Sequence, residues 1–183
     1  NIHENPVSIR WFTPSIEVDL CGHATLASAR VLFEYYPDLA GEEINFDSKS
    51  GNLKVTKCND GLCLNFPADQ PIENKLDLLF IEILDIEPLK LLRGKDDYLA
   101  IFKNQKQIED MQPKLFLLKK INARGLVISA PGDEVDFVSR CFYPEAGIEE
   151  DPVTGSAHTM LTPYWANQFN KEDLEGHQLS KRG

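Results

Sequence analysis

The sequence is short of cysteine, of long apolar runs and of clustered positive charge. Four cysteines stand in 183 residues, Cys21, Cys58, Cys63 and Cys141, and no two have CxxC spacing. That excludes a secreted disulfide framework. The four histidines form no HExxH or comparable ligand pattern, so no metal site is expected. No apolar stretch approaches the about 20 residues of a spanning helix, so no membrane segment is expected. No signal peptide is visible, and a reducing, cytoplasmic setting is expected. Net charge is −10, from 19 Lys+Arg against 29 Asp+Glu, and the densest basic spots are only Lys119-Lys120 and Lys181-Arg182. A phosphate footprint needs clustered cations, so nucleic acid is excluded as a partner.

What is present is ordinary globular composition, 42% hydrophobic and 26% charged, at a length that suits one domain or two small lobes. Residues 7–13 predict a strand stopped by Pro14. Residues 22–36 predict a helix ended by Pro37, apolar nearly all round and therefore central to its lobe. A strand is expected at 43–48, and strands at 52–57 and 62–66 flank the hairpin signal Asn59-Asp60-Gly61. A two-residue loop at Asp60-Gly61 sets Cys58 directly opposite Cys63, although a reducing compartment disfavours a disulfide there. Two prolines in Phe66–Pro71 mark a boundary, giving lobes 1–70 and 71–183. Beyond it the pattern predicts a helix at 74–83, a strand at 97–103, and a short helix within 105–120 interrupted at Pro113. Strands follow at 125–130 and 135–143, then a helix at 155–169 kinked near Pro163.

A repeat runs through this pattern. Arg10-Trp11-Phe12-Thr13-Pro14 returns 130 residues on as Arg140-Cys141-Phe142-Tyr143-Pro144. Acidic residues follow each copy, Glu17 and Asp19 in one, Glu145, Glu149, Glu150 and Asp151 in the other. Each then reaches a small-residue helix start, Cys21-Gly22-His23-Ala24 or Thr154-Gly155-Ser156-Ala157. The shared order of strand, acidic loop, glycine and helix predicts a duplicated two-lobe protein. The strand before the second copy and the strands after the first helix lack counterparts in the other half. With Asn1 in place of Met, this leads to the expectation of a chain shortened at both ends.

A helix start offers free N–H groups and a partial positive charge, and glycine lets a ligand approach the backbone. Two such starts facing each other would cradle a carboxylate and stabilise charge as a neighbouring C–H is deprotonated. Alternatively, Gly22 and Gly155 serve only tight turns. His23 titrates near neutrality or is a plain hydrogen-bonding partner. Asp151 is an acid/base group or a helix cap. Ser156 donates to a substrate oxygen or satisfies a helix amide, and no G-x-S-x-G elbow makes it a hydrolase nucleophile. Cys21 stands where a helix start lowers a thiol pKa, but its repeat partner is Thr154.

The stretches RWFTPSIEVDLCGHATLASA and EDPVTGSAH resemble the PhzF-like (phenazine biosynthesis-like) isomerase family, relatives of diaminopimelate epimerase. LNFPADQP, DYLAIF, ARGLVISAPG and TPYW extend the resemblance over essentially the whole chain. It implies an α+β fold of two pseudo-symmetric lobes, each a β-barrel-like sheet around a central helix. It further implies cofactor-independent proton transfer on a small carboxylate between the lobes, and commonly a homodimer. By resemblance, His23, Asp151 and Ser156 are active-site residues. Gly22 and Gly155, with Ala24 and Thr154 beside them, hold the substrate carboxylate. The family's principal acid/base glutamate has no match in this chain. Paired thiols, as in the epimerases, are not implied, because Thr154 occupies the second position. The alternative function is a non-catalytic carboxylate binder or scaffold on the same fold.

Overall fold

Alternating apolar and polar residues build the first sheet. In the computed structural model, which describes residues 6–13, 16–59 and 61–180, Ile44, Phe46, Leu53 and Val55 are buried in one core. Their strand neighbours are more exposed, as a two-residue period requires. In chain order the elements are β1 Val7–Ser8, β2 Trp11–Phe12, β3 Glu17–Val18, α1 Gly22–Tyr35, α2 Pro37–Ala40, β4 Glu43–Ser48, β5 Gly51–Cys58 and β6 Gly61–Asn65. The sheet order is β1-β4-β5-β6, with β1 parallel to β4 and the other pairs antiparallel. β2 and β3 form a separate ribbon. These elements make up the first of two compact units, Asn1–Pro67 and Ala68–Gly183.

Three expectations change here. The strand predicted over 7–13 breaks, since Val7–Ser8 joins β4 whereas Trp11–Phe12 pairs with β3. Helix α1 buries one stripe, Gly22, Thr25, Ala29 and Leu32, and leaves Val31 and Tyr35 exposed. Alanine and serine on its other faces carry too little apolar area for all-round burial. The hairpin pairs Cys58 with Gly61 and Thr56 with Cys63, two residues from the predicted register. Cys58 and Cys63 are therefore diagonal neighbours, at a Cα–Cα distance of 6.0 Å, and the structure joins them in a disulfide against expectation. Diagonal pairs on a twisted ribbon remain within reach of one another, which the predicted register did not consider. Pro14, Asp60 and residues 181–183 lie outside the described residues.

The second unit continues with β7 Ile72–Asn74, α3 Leu78–Leu84, β8 Lys90–Arg93, β9 Asp97–Ile101, α4 Gln105–Asp110, α5 Leu115–Leu118, β10 Gly125–Pro131 and β11 Phe137–Tyr143. β12 Ile148–Asp151, a 3-10 turn Gly155–Ala157, α6 His158–Phe169 and β13 Gly176–Gln178 complete it. The helix predicted from residue 74 begins only at Leu78. Ile72–Asn74 pairs with β8 instead, and the Asp77 carboxylate caps the helix by accepting from the Leu79 N–H at 3.0 Å.

The sheet runs β12-β11-β10-β9-β8-β7, with β13 also on β11. Leu99, Val127, Phe137, Cys141 and Tyr143 share a core with Met160, Leu161 and Trp165 of α6. Ala100, Leu126, Ile128, Val138 and Phe142 share another with residues of α3, α4 and α5. Burial on both faces explains why β10 reads as an apolar run interrupted only by Ser129, whose hydroxyl donates to the Val138 carbonyl at 2.7 Å.

One detail of this sheet positions the site. β12 lies antiparallel to β11, with Asp151 opposite Cys141, and β13 lies parallel to β11, with Gln178 opposite Ser139. The two short strands thus run toward each other beside β11, and their last residues meet.

Candidate active site

The repeated motif forms the same clasp twice. Arg10 donates from Nε to Glu17 Oε1 at 2.9 Å and from Nη2 to Oε2 at 2.8 Å, with its guanidinium 5.0 Å from the Phe12 ring centre. Arg140 donates from Nε to Glu150 Oε1 at 2.6 Å and from Nη2 to Oε2 at 3.0 Å, 5.2 Å from the Phe142 ring centre. In both, an arginine grips the glutamate of the following strand in a fork. Each glutamate stands five residues before a helix-start glycine, Gly22 or Gly155. Of the acidic residues noted in the sequence, Glu17 and Glu150 are the clasp partners. Val18 and Asp151 then correspond, opposite Trp11 and Cys141 respectively.

In the first unit Cys21 is the N-cap of α1 and makes no side-chain cap bond. Its Sγ lies 3.6 and 3.8 Å from the two ring nitrogens of His23, which is exposed. Gly22 is buried and Ala24 is half-buried. Thr25 closes the first turn by donating its hydroxyl to the Cys21 carbonyl at 2.6 Å. This start gathers a thiol and an imidazole, with free helix amides behind them.

In the second unit the loop from Asp151 to Ser156 is held more firmly. Thr154 donates its hydroxyl to Asp151 Oδ2 at 2.6 Å. Asp151 therefore does not cap the helix, because its partner is a side-chain hydroxyl and not an amide. Ser156 keeps a half-exposed hydroxyl with no hydrogen-bond partner among the described residues, so it satisfies no helix amide. His158 Nδ1 lies 3.1 Å from the Thr154 carbonyl. Beneath the loop, burial pushes the Cys141 thiol up to about 12 and the Tyr143 phenol well above its ordinary value, so both are neutral.

Sequence reasoning missed Gln178, which bonds three times to this loop. Its Nε2 donates to the Asp151 carbonyl at 2.7 Å and to Thr154 Oγ1 at 3.1 Å, and its Oε1 accepts the Thr154 N–H at 2.7 Å. No local spacing signals it; only the pairing of β13 with β11 brings it there. A hollow of about 370 Å³ elsewhere in this unit, beside Leu84, Ile86 and Met111, contains no predicted site residue. No group of three or more His, Cys, Asp or Glu among the described residues is arranged to hold a metal ion. No helix among the described residues is long and apolar enough to cross a membrane.

Comparison with known proteins agrees with these motifs. The profile of the family described as phenazine biosynthesis-like protein matches residues 2–183. An uncharacterized isomerase of Halalkalibacterium halodurans is 44% identical over 184 residues, 99% of this chain and 69% of the relative. The mouse phenazine biosynthesis-like domain-containing protein 2 is 36% identical over 195 residues, 96% of this chain and 67% of the relative. The crystal structure of a PhzF-family phenazine biosynthesis protein from Enterococcus faecalis superposes with a TM-score of 0.88 at 41% identity, covering 98% of this chain and 69% of that one. The chain thus spans about two thirds of the length of the relatives it matches. With its mixed α+β sheets, its duplicated clasp and a match along nearly its whole length, the chain belongs to the phenazine biosynthesis-like, or PhzF, family.

Proposed function

We propose that this chain is part of an isomerase that moves a proton between carbons of one small carboxylic acid without a cofactor. In this reading the two units are pseudo-symmetric lobes of a diaminopimelate epimerase-like fold, each a barrel-like sheet around a central helix. The starts at Gly22 and Gly155, with Ala24 and Thr154, hold the substrate carboxylate on backbone amides. His23 and Asp151 orient and polarise the substrate, and Ser156 donates a hydrogen bond to it. The acid/base glutamate implied by the family resemblance matches no residue here, so the tests use the full-length gene product. Pairing into a homodimer belongs to the same proposal.

The observation that carries the reading is the duplicated clasp, which sets a glycine five residues beyond its glutamate in each unit, Gly22 opening α1 and Gly155 opening the 3-10 turn that leads into α6, where the sequence predicted an α-helix from 155. Relatives that bear the name isomerase support the reaction class. Positioned acid/base groups contribute about 10²–10⁴ in rate. Small carboxylic acids are screened for solvent deuterium incorporation, and His23→Ala and Asp151→Ala are each expected to lower exchange at least about tenfold with the fold retained. Near-normal exchange in both variants overturns the assignment. Binding of a carboxylic acid without any exchange favours the non-catalytic alternative. Cys21→Ser is expected to keep activity, and its loss would point to thiol chemistry.

A further inference from the structure

Gln178 lies outside every motif of the sequence, yet its contacts set a direction for hydrogen bonding at Asp151. Its Oε1 meets an N–H, which can only donate, and its Nε2 meets a carbonyl, which can only accept. The amide therefore has one allowed orientation. Its Nε2 also donates to Thr154 Oγ1. A hydroxyl has a single hydrogen, and that of Thr154 goes to Asp151 Oδ2 at 2.6 Å. Donation runs one way, from amide to hydroxyl to carboxylate.

We propose that Gln178 is a positioning residue for Asp151. By orienting the Thr154 hydroxyl it commits Oδ2 to accepting and reserves Oδ1 as the oxygen that meets substrate and carries any proton. The inference rests on the role of Asp151 stated under Proposed function. Its physical basis is that a hydrogen bond to the charged form of an acid stabilises that form. The other titratable groups around Asp151 do not supply this donor. Cys141 and Tyr143 of β11 are neutral, and Glu150 of β12 is taken by Arg140. Glu149 is exposed on β12, His177 is exposed on β13, and His158 of α6 faces the Thr154 carbonyl.

Gln178→Glu keeps the acceptor for the Thr154 N–H and replaces the donor with a second anionic oxygen. The Thr154 hydrogen then turns to the new carboxylate, and Asp151 loses a donor and gains a like charge. Its titration midpoint is expected to rise by at least about one pH unit. The midpoint is read by carboxyl carbon NMR on protein labelled at aspartate, with the Asp151 signal identified by Asp151→Asn. Thr154→Val is expected to raise it by less, and Thr154→Ser to restore the starting value. In the full-length enzyme the acid limb of kcat/KM moves to higher pH in step. An unmoved midpoint in folded Gln178→Glu or Thr154→Val overturns the inference, as does a loss of stability without a titration shift. If Gln178→Glu does not fold, the Thr154 pair decides. The titration needs no substrate, so undiminished exchange in Asp151→Ala overturns the proposed function separately.

Discussion

The clasps of the two units share arginine, phenylalanine and glutamate, but one stands in water and the other in the interior. The Arg10 side chain is 63% exposed and that of Arg140 8%, whereas both glutamates are 18% exposed. Phe12 is 64% exposed and Phe142 1%. The difference comes from what covers each copy. In the second unit, α3, α4 and α5 cover one sheet face, and Arg140 uses Nη1 to reach the carbonyls of Ile108 at 2.9 Å and Met111 at 2.7 Å. A cation there satisfies the orphan carbonyls at the C-terminus of α4. A motif repeated in sequence thus preserves the geometry of an interaction while its surroundings set the energy.

Each unit carries one tryptophan, Trp11 or Trp165, so fluorescence of single-tryptophan variants follows each unit separately. The largest contrast lies within the clasps. Phe142→Ala is expected to cost about 3–5 kcal/mol in urea unfolding, and Arg140→Ala about 3–5 kcal/mol because the Ile108 and Met111 carbonyls and the Glu150 carboxylate all lose a buried partner. Phe12→Ala is expected to change stability by about 0.5 kcal/mol or less, and Arg10→Ala to shift the unfolding midpoint far less than Arg140→Ala. Equal losses in the two units would break the comparison.

The next effect concerns β13, which braces the second loop. A side chain at Gly176 would strike the ring of Phe137, itself buried against Trp165. Gly176→Ala is therefore expected to cost about 1–3 kcal/mol and to weaken amide protection at Thr154, whose N–H is held by Gln178. Reduction of Cys58–Cys63 closes the list of stability effects in the other unit. The bridge spans five positions, a short loop, and its loss is expected to cost at most about 2 kcal/mol. The Trp11 signal should register it and the Trp165 signal should not.

The smallest effect depends on pH. The hydrogen bonds from Arg10, then Lys49, hold the Glu17 carboxyl at about 2. This folded value lies below the unfolded one of about 4.3. The clasp's contribution is therefore present above the unfolded value and lost as pH falls through about 2. Glu17→Gln should flatten the acid limb of the Trp11 unfolding profile and leave that of Trp165 unchanged.

The repeat, the helix starts and the long strands β4, β5, β10 and β11 were legible because each rests on a local signal. Apolar period, turn residues or a glycine before a helix can be read within a dozen positions. β12 reads in sequence as an acidic loop because Glu149, Glu150 and Asp151 show no alternation. β7 and β13 have three residues each, too few for a period to appear. The clasp partners were legible as acidic residues but not as a pair, since only the ribbon register selects Glu17 and Glu150 from their neighbours. Gln178 was beyond reach for a similar reason: its partners lie 24 and 27 positions earlier, joined through a third strand.

The reach of Arg140 has an outcome for anyone altering this protein. Its guanidinium ties the last turn of a helix to the strand that ends in Asp151, so residues 105–111 are mechanically coupled to the loop that follows. A saturation scan should therefore find tolerance broken by prolines and insertions in that helix, with kinetic defects resembling those of loop substitutions.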